Sequence, residues 1–158
     1  LPDVQKSTAS SHADETGARE AIEEVHAGKA GEVVIALVLN RIIWGTAPKS
    51  PWEDPLLYKV RFSEEVTLRT VHIWERTGVG FTSGDFVTYV REEDKRDVYE
   101  QENQLIMAPG TEELEQDLNV KLKAGKWLYY VLNLGWPDDG MGNYPEFIVT
   151  FHFEKRRS

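Results

Sequence analysis

The chain has 158 residues, of which 41% are apolar and 28% charged, and it contains no cysteine. That length suits one domain with a sizeable core, and the missing thiols exclude a disulfide scaffold, a thiolate nucleophile and Cys-based zinc or iron–sulfur sites. Eighteen Lys and Arg against 27 Asp and Glu leave a net charge of −9, which argues against nucleic acid as a partner, because binding to phosphates draws on basic charge.

Residues 1–15, LPDVQKSTASSHADE, are small and polar and read as a flexible arm, since they bury too little apolar surface to offset ordering entropy. A start at Leu1 without Met, and without a signal-peptide apolar region, reads as a processed product or a piece of a longer protein or assembly. The next unit, 16–30, predicts one short N-terminal helix over 16–28. Thr16 is its N-cap, Ala18, Ala21, Ile22 and Val25 share a face, and Gly28 stops it.

From Gly31 the period changes to two, and residues 31–154 read as one β domain. The run EVVIALVLNRIIW (32–44) is rich in Val and Ile; both its faces are apolar from Val33 to Leu39, which predicts a strand buried on both sides, and Arg41 and Trp44 mark where it leaves the core. TAPKSPWEDP (46–55) holds three prolines and is a loop. Tyr58, Val60 and Phe62 alternate with Lys59 and Arg61 as a half-buried strand. In VTLRTVHIWE (66–75) the inward phase slips from Val66 and Leu68 to Val71 and Ile73, which places a β-bulge near Arg69–Thr70. DFVTYV (85–90) leads into a charged hairpin tip at 91–97, followed by VYEQENQLIM (98–107). APGTEELEQ then reads as a turn, LNVKL (118–122) as a strand and AGKWLYYVLNL (124–134) as the next. GWPDDGMGNYP (135–145) is a turn-rich loop, and EFIVTFHF (146–153) closes the fold. Trp127, Tyr129 and Val131 on one strand, and Phe147 to Phe153 on another, read as core.

About eight strands with turn signals every 8–12 residues predict a mainly β fold, an antiparallel, jelly-roll-like β-sandwich. No apolar run reaches the roughly 18–20 residues that span a bilayer as a helix, so a soluble chain without a membrane span is expected.

The segment TEELEQDLNVKLKAGKWLYYVLNLGWPDDGMGNYPEFIVTF (111–151) combines an acidic turn, an A-G-x-W hairpin and a Gly/Asp-rich loop before G-N-Y-x-x-F-x-V-x-F. It resembles the last strands of pre-peptidase C-terminal domains and the third domain of calpains, and DPLLYKVRFSEEVTLRTVHI (54–73) matches their earlier strand pair. The resemblance implies a β-sandwich accessory module and a secreted or extracellular location. It transfers no functional residue, because the acidic calcium spacing of collagen-binding members is not found here.

Two groups of residues are candidates for binding. Asp138, Asp139, Asn143 and Glu146 offer the hard oxygen ligands that Ca²⁺ takes, although Pro-Asp-Asp-Gly is equally good turn chemistry. Trp136 and Tyr144 flank that loop and Trp44 and Trp52 lie on another, so the four rings either form a platform for sugars or peptides or plug the ends of the core. Residues 91–120 hold ten acids against three bases, a local −7 that would attract a basic partner or simply solvate an edge.

Catalysis finds no motif. His12, His26, His72 and His152 show no metal-ligand spacing, there is no G-x-S-x-G, and G-V-G-F-T-S-G (78–84) lacks a phosphate-loop Lys and precedes a strand. The expectation is a non-catalytic binding module with no cofactor beyond Ca²⁺, meeting a protein or polysaccharide partner through loops at one end. The alternatives are an assembly domain that docks its arm on a neighbour and an enzyme whose carboxylates converge in space.

Overall fold

The two-residue alternation beyond Gly31 becomes strand after strand. The computed structural model describes residues 9–11, 23–27, 31–78, 80–95, 103–133 and 135–155. Their elements are β1 (Ala9–Ser11), β2 (Glu23–Ala27), β3 (Glu32–Leu39), α1 (Arg41–Thr46), β4 (Leu56–Phe62), β5 (Val66–Glu75), β6 (Phe86–Glu92), β7 (Gln104–Met107), β8 (Glu113–Leu122), β9 (Leu128–Leu132) and β10 (Phe147–Lys155).

The architecture is the antiparallel β-sandwich the alternation predicts. Eight strands, β3 to β10, lie four to a sheet, and β1 and β2 each add one strand at an edge. The orders are β1-β4-β9-β6-β7 and β2-β3-β10-β5-β8. Of the connections, only β2–β3 and β6–β7 stay within a sheet; the others carry the chain across to the opposite layer.

The core lies between the sheets, and β10 supplies its spine. Phe147, Val149, Phe151 and Phe153 all point inward and are buried. Phe147 stacks on Phe86 with centroids 3.9 Å apart, Phe151 meets the edge of Tyr130 at 5.1 Å, and Phe153 meets Phe62 at 4.8 Å. One aromatic row thus touches residues of three strands in the other sheet. Each such ring contributes on the order of 1.5–3 kcal/mol by leaving water.

The expected bulge is present. Across β10 and β5, Phe153 faces Leu68 while His152 faces Thr70, so Arg69 is the extra residue. The extra residue allows Val66, Leu68, Val71 and Ile73 all to be buried despite the broken alternation.

Four expectations need correction. Residues 23–27 of the expected helix form β2, paired antiparallel with β3. A short, weakly apolar helix cannot compete with the open backbone donors and acceptors along the edge of β3. The strand does end at Leu39, and the chain then turns into α1, because the Asn40 side chain accepts a hydrogen bond from the Ile43 N–H at 3.0 Å and caps a helical turn. The outward residues Val34, Ala36 and Val38 of β3 are half-buried, so the strand is fully covered on one face only. The expected turn at 108–116 is strand from Glu113 onward. There Glu113, Glu115 and Asp117 face water while Leu114, Gln116 and Leu118 are half-buried beneath them, an acidic edge that discourages pairing with other chains. The A-G-x-W segment is an arch between sheets instead of a hairpin, turning at Gly125, whose φ of 76° suits glycine.

Of the arm, only Ala9–Ser11 falls within the described residues, as β1 paired with β4. The rest of 1–15, residues 16–22 of the expected helix and the acids Asp97, Glu100 and Glu102 lie outside them.

Candidate functional site

One end of the sandwich gathers α1, the 76–85 loop, the turn at 108–112 and the 135–146 loop. Backbone hydrogen bonds tie the last three together. The Thr82 and Ser83 N–H groups donate to the Asp138 carbonyl at 3.0 and 3.1 Å, Arg76 donates to the Glu146 carbonyl at 2.9 Å, and Gly110 donates to the Phe81 carbonyl at 3.0 Å.

The four candidate aromatics do not form one platform. Trp136 is 7% exposed, packed against Phe86 and Phe147 with its indole N–H donating to the Pro145 carbonyl at 2.9 Å. It plugs the core, and its buried N–H has found the partner that burial demands. Trp52 folds away over the outer face of the β4–β9–β6 sheet, edge-on to Tyr129 at 5.3 Å. Trp44 and Tyr144 do come together, joined by Arg41. The guanidinium centre lies 4.5 Å from the Tyr144 ring and 5.9 Å from the Trp44 ring, within cation–π range.

The four oxygen-bearing residues hold their own loop together. Asp138 Oδ1 accepts from the Gly140 N–H at 2.8 Å. Asp139 Oδ1 accepts from the N–H groups of Met141 and Asn143 at 2.8 and 3.1 Å, and its Oδ2 from the Asn143 side-chain amide at 2.8 Å. These donors, the Asn143 amide first, hold the Asp139 carboxyl below the usual aspartate range. Glu146 faces Arg76 at 3.7 Å. Among the described residues no three of His, Asp and Glu converge as a metal-binding group.

Two residues that the sequence reading passed over stand out at this end. Ile42 is 61% exposed and Met141 is 80% exposed, and with Ile106 they are the large exposed hydrophobics among the described residues. Ile42 lies on α1 beside buried Ile43 and lines a depression of about 320 Å³ together with Arg41, Gly142 and Tyr144. The available signal is Asn40, an N-cap residue inside an apolar run, which turns Ile42 outward and the next residue, Ile43, inward.

The outer face of the β4–β9–β6 sheet carries a second buried cluster, and Trp127, Tyr129 and Val131, read as core, belong to it and not to the space between the sheets. Leu56, Tyr89, Tyr129 and Val131 are buried there under Trp52 and Trp127, both half-buried. The proline-rich loop 47–55 covers this face, held by the Tyr89 hydroxyl donating to Asp54 at 2.8 Å. Compared with known proteins, the chain matches no family model, no curated protein and no solved structure.

Proposed function

We propose that the chain is a non-catalytic binding module that engages a protein partner through the loop end formed by α1 and the 135–146 loop. The carrying observation is the pair of exposed aliphatics, Ile42 and Met141, beside the Arg41–Tyr144 contact. Exposed apolar side chains rimmed by polar ones are characteristic of contact surfaces. Met and Arg are enriched at such interfaces, and aliphatic tips favour a protein over a polysaccharide, which would need bare ring faces. The loops sit on a rigid two-sheet frame, where recognition residues concentrate. Asp138 Oδ1 and both carboxylate oxygens of Asp139 accept hydrogen bonds within their own loop, and the contact surface is formed by Ile42, Met141, Arg41 and Tyr144.

The test is a parallel protein pull-down and glycan array with the parent chain and an Ile42→Arg, Met141→Arg double variant. A protein captured by the parent and lost at least tenfold by the variant, at unchanged Tm, is the expected result. A glycan retained equally by both, with no protein captured, would overturn it.

One observation favours a second reading, an assembly domain. β1 pairs with β4 at a sheet edge, and the same pairing could be made with a second copy. Sedimentation of the full chain and of a chain lacking residues 1–15 separates the two. An oligomer that dissociates on deletion supports assembly, whereas a monomer in both cases supports the binding module.

A further inference from the structure

Arg91 is the most unusual charged side chain of the described residues. It stands on β6 opposite Tyr129 of β9, which in turn stands opposite Lys59 of β4. It is only 5% exposed, and its guanidinium centre lies 4.7 Å from the Trp52 ring centre and 4.9 Å from that of Tyr89. Its Nε and Nη2 are buried and have no hydrogen-bond partner. Those two nitrogens form one edge of the guanidinium, a pair of parallel donors spaced to grip both oxygens of a carboxylate. A buried cation with that whole edge unmatched is costly, and more so than an unmatched neutral donor.

Two acids of this face, Asp54 and Glu93, are otherwise engaged. Asp54 accepts from the Tyr89 hydroxyl, and Glu93 accepts from the Trp127 N–H at 3.2 Å with Lys126 at 3.9 Å. Cations gather here in spite of the chain's overall −9. Lys59 Nζ and the Arg61 guanidinium lie 4.3 and 4.5 Å from the Trp127 ring centre. Beside them opens a depression of about 350 Å³ lined by Pro51, Glu93, Trp127 and Tyr129.

We propose that Arg91 anchors a site for a uronic acid residue on this face, its carboxylate on the Nε–Nη2 edge and its sugar ring against Trp127 and Tyr129. A carboxylate lies in the guanidinium plane and adds no atoms toward the Trp52 and Tyr89 rings, whereas a phosphate places two oxygens out of that plane. The depression is of small-ligand size, with an aromatic wall for the apolar face of a pyranose. Glu93 offers acceptor capacity to sugar hydroxyls and repels a second anionic group, so one uronate is favoured over a polyanion. Trp52 covers the guanidinium, so entry of the carboxylate must shift that ring. The site stands apart from the loop end and does not depend on a partner binding there.

The test follows the Arg91 Nε–H resonance of the ¹⁵N-labelled full chain, with tryptophan emission alongside, during titration at constant ionic strength with sodium glucuronate, acetate, glucose and inorganic phosphate. Glucuronate should move the resonance saturably at millimolar concentration, about tenfold or more tighter than acetate, with no saturable shift from glucose or phosphate. Arg91→Lys keeps the charge but not the two-pronged edge, and should weaken glucuronate about tenfold or more. An Arg91 resonance that glucuronate leaves in place, or a Lys variant that binds as well as the parent, would overturn the site. Acetate as tight as glucuronate would overturn the sugar assignment, and phosphate as tight would overturn the carboxylate assignment. Should Arg91→Lys fail to fold, the titration of the parent chain still decides.

Discussion

Trp136 shows how one side chain's placement changes what a mutation reports. Its ring packs against the stacked pair Phe86 and Phe147 and its N–H is satisfied by Pro145, so Trp136→Ala should cost about 3–5 kcal/mol in urea denaturation and behave as a folding mutation, not a binding one. Tyr130 makes a different point. Burial pushes its phenol far above the ordinary tyrosine value, and the Thr88 hydroxyl pulls the other way. The two hydroxyls do not reach hydrogen-bond geometry, so burial decides. A folded-state pKa above the unfolded one means the contribution is complete at neutral pH and is lost as pH climbs beyond about 10, where the unfolded chain ionises first. Tyr130→Phe should therefore move the alkaline unfolding midpoint upward, with little change in stability at pH 7, in a pH series of thermal melts.

At the scale of the element, β5 depends on a residue that the core never touches. Arg69 is half exposed, with its Nε 3.2 Å from Glu154, and an exposed pair of that kind contributes about 0–1 kcal/mol. Arg69→Ala should be nearly silent. Deleting Arg69 should not be, because it closes the bulge and turns two inward residues, either Val66 and Leu68 or Val71 and Ile73, to the outer face. At roughly 1.5–3 kcal/mol per aliphatic side chain the deletion should cost about 3–6 kcal/mol, a large share of a domain's stability, read as a lowered urea midpoint against the Ala control. The bulge was legible because a slip in alternation is itself a pattern. The start of β8 was not, because Glu113, Glu115 and Asp117 look like a solvated turn until Leu114 and Leu118 are seen packing against the core between them. α1 hid for the opposite reason, its Ile-Ile-Trp continuing an apolar run with only the Asn40 cap to break it.

For the whole molecule, alternation and turn spacing were enough to read two packed antiparallel sheets, since each strand's inward row is written along the chain. What covers the outer faces was not readable. Which loop folds back over Tyr89 and Tyr129, and which Trp enters the core, depends on contacts between segments far apart in sequence, and a Trp in a Gly-rich loop looks the same whether it faces water or plugs a core. Arg91 shares that ambiguity, since it continues the buried row of Val87 and Tyr89 yet opens a charged stretch.

The first and last of the eight central strands lie side by side, Glu154 opposite Glu32, with the Lys155 N–H donating to the Gly31 carbonyl at 2.6 Å. Entry and exit to this body therefore sit at one point, where a host polypeptide could accept it as an insert between two neighbouring residues. Grafting residues 31–155 into an exposed loop of another protein would strain neither partner, and joining the two positions by a short linker would give a rearranged chain with new termini elsewhere.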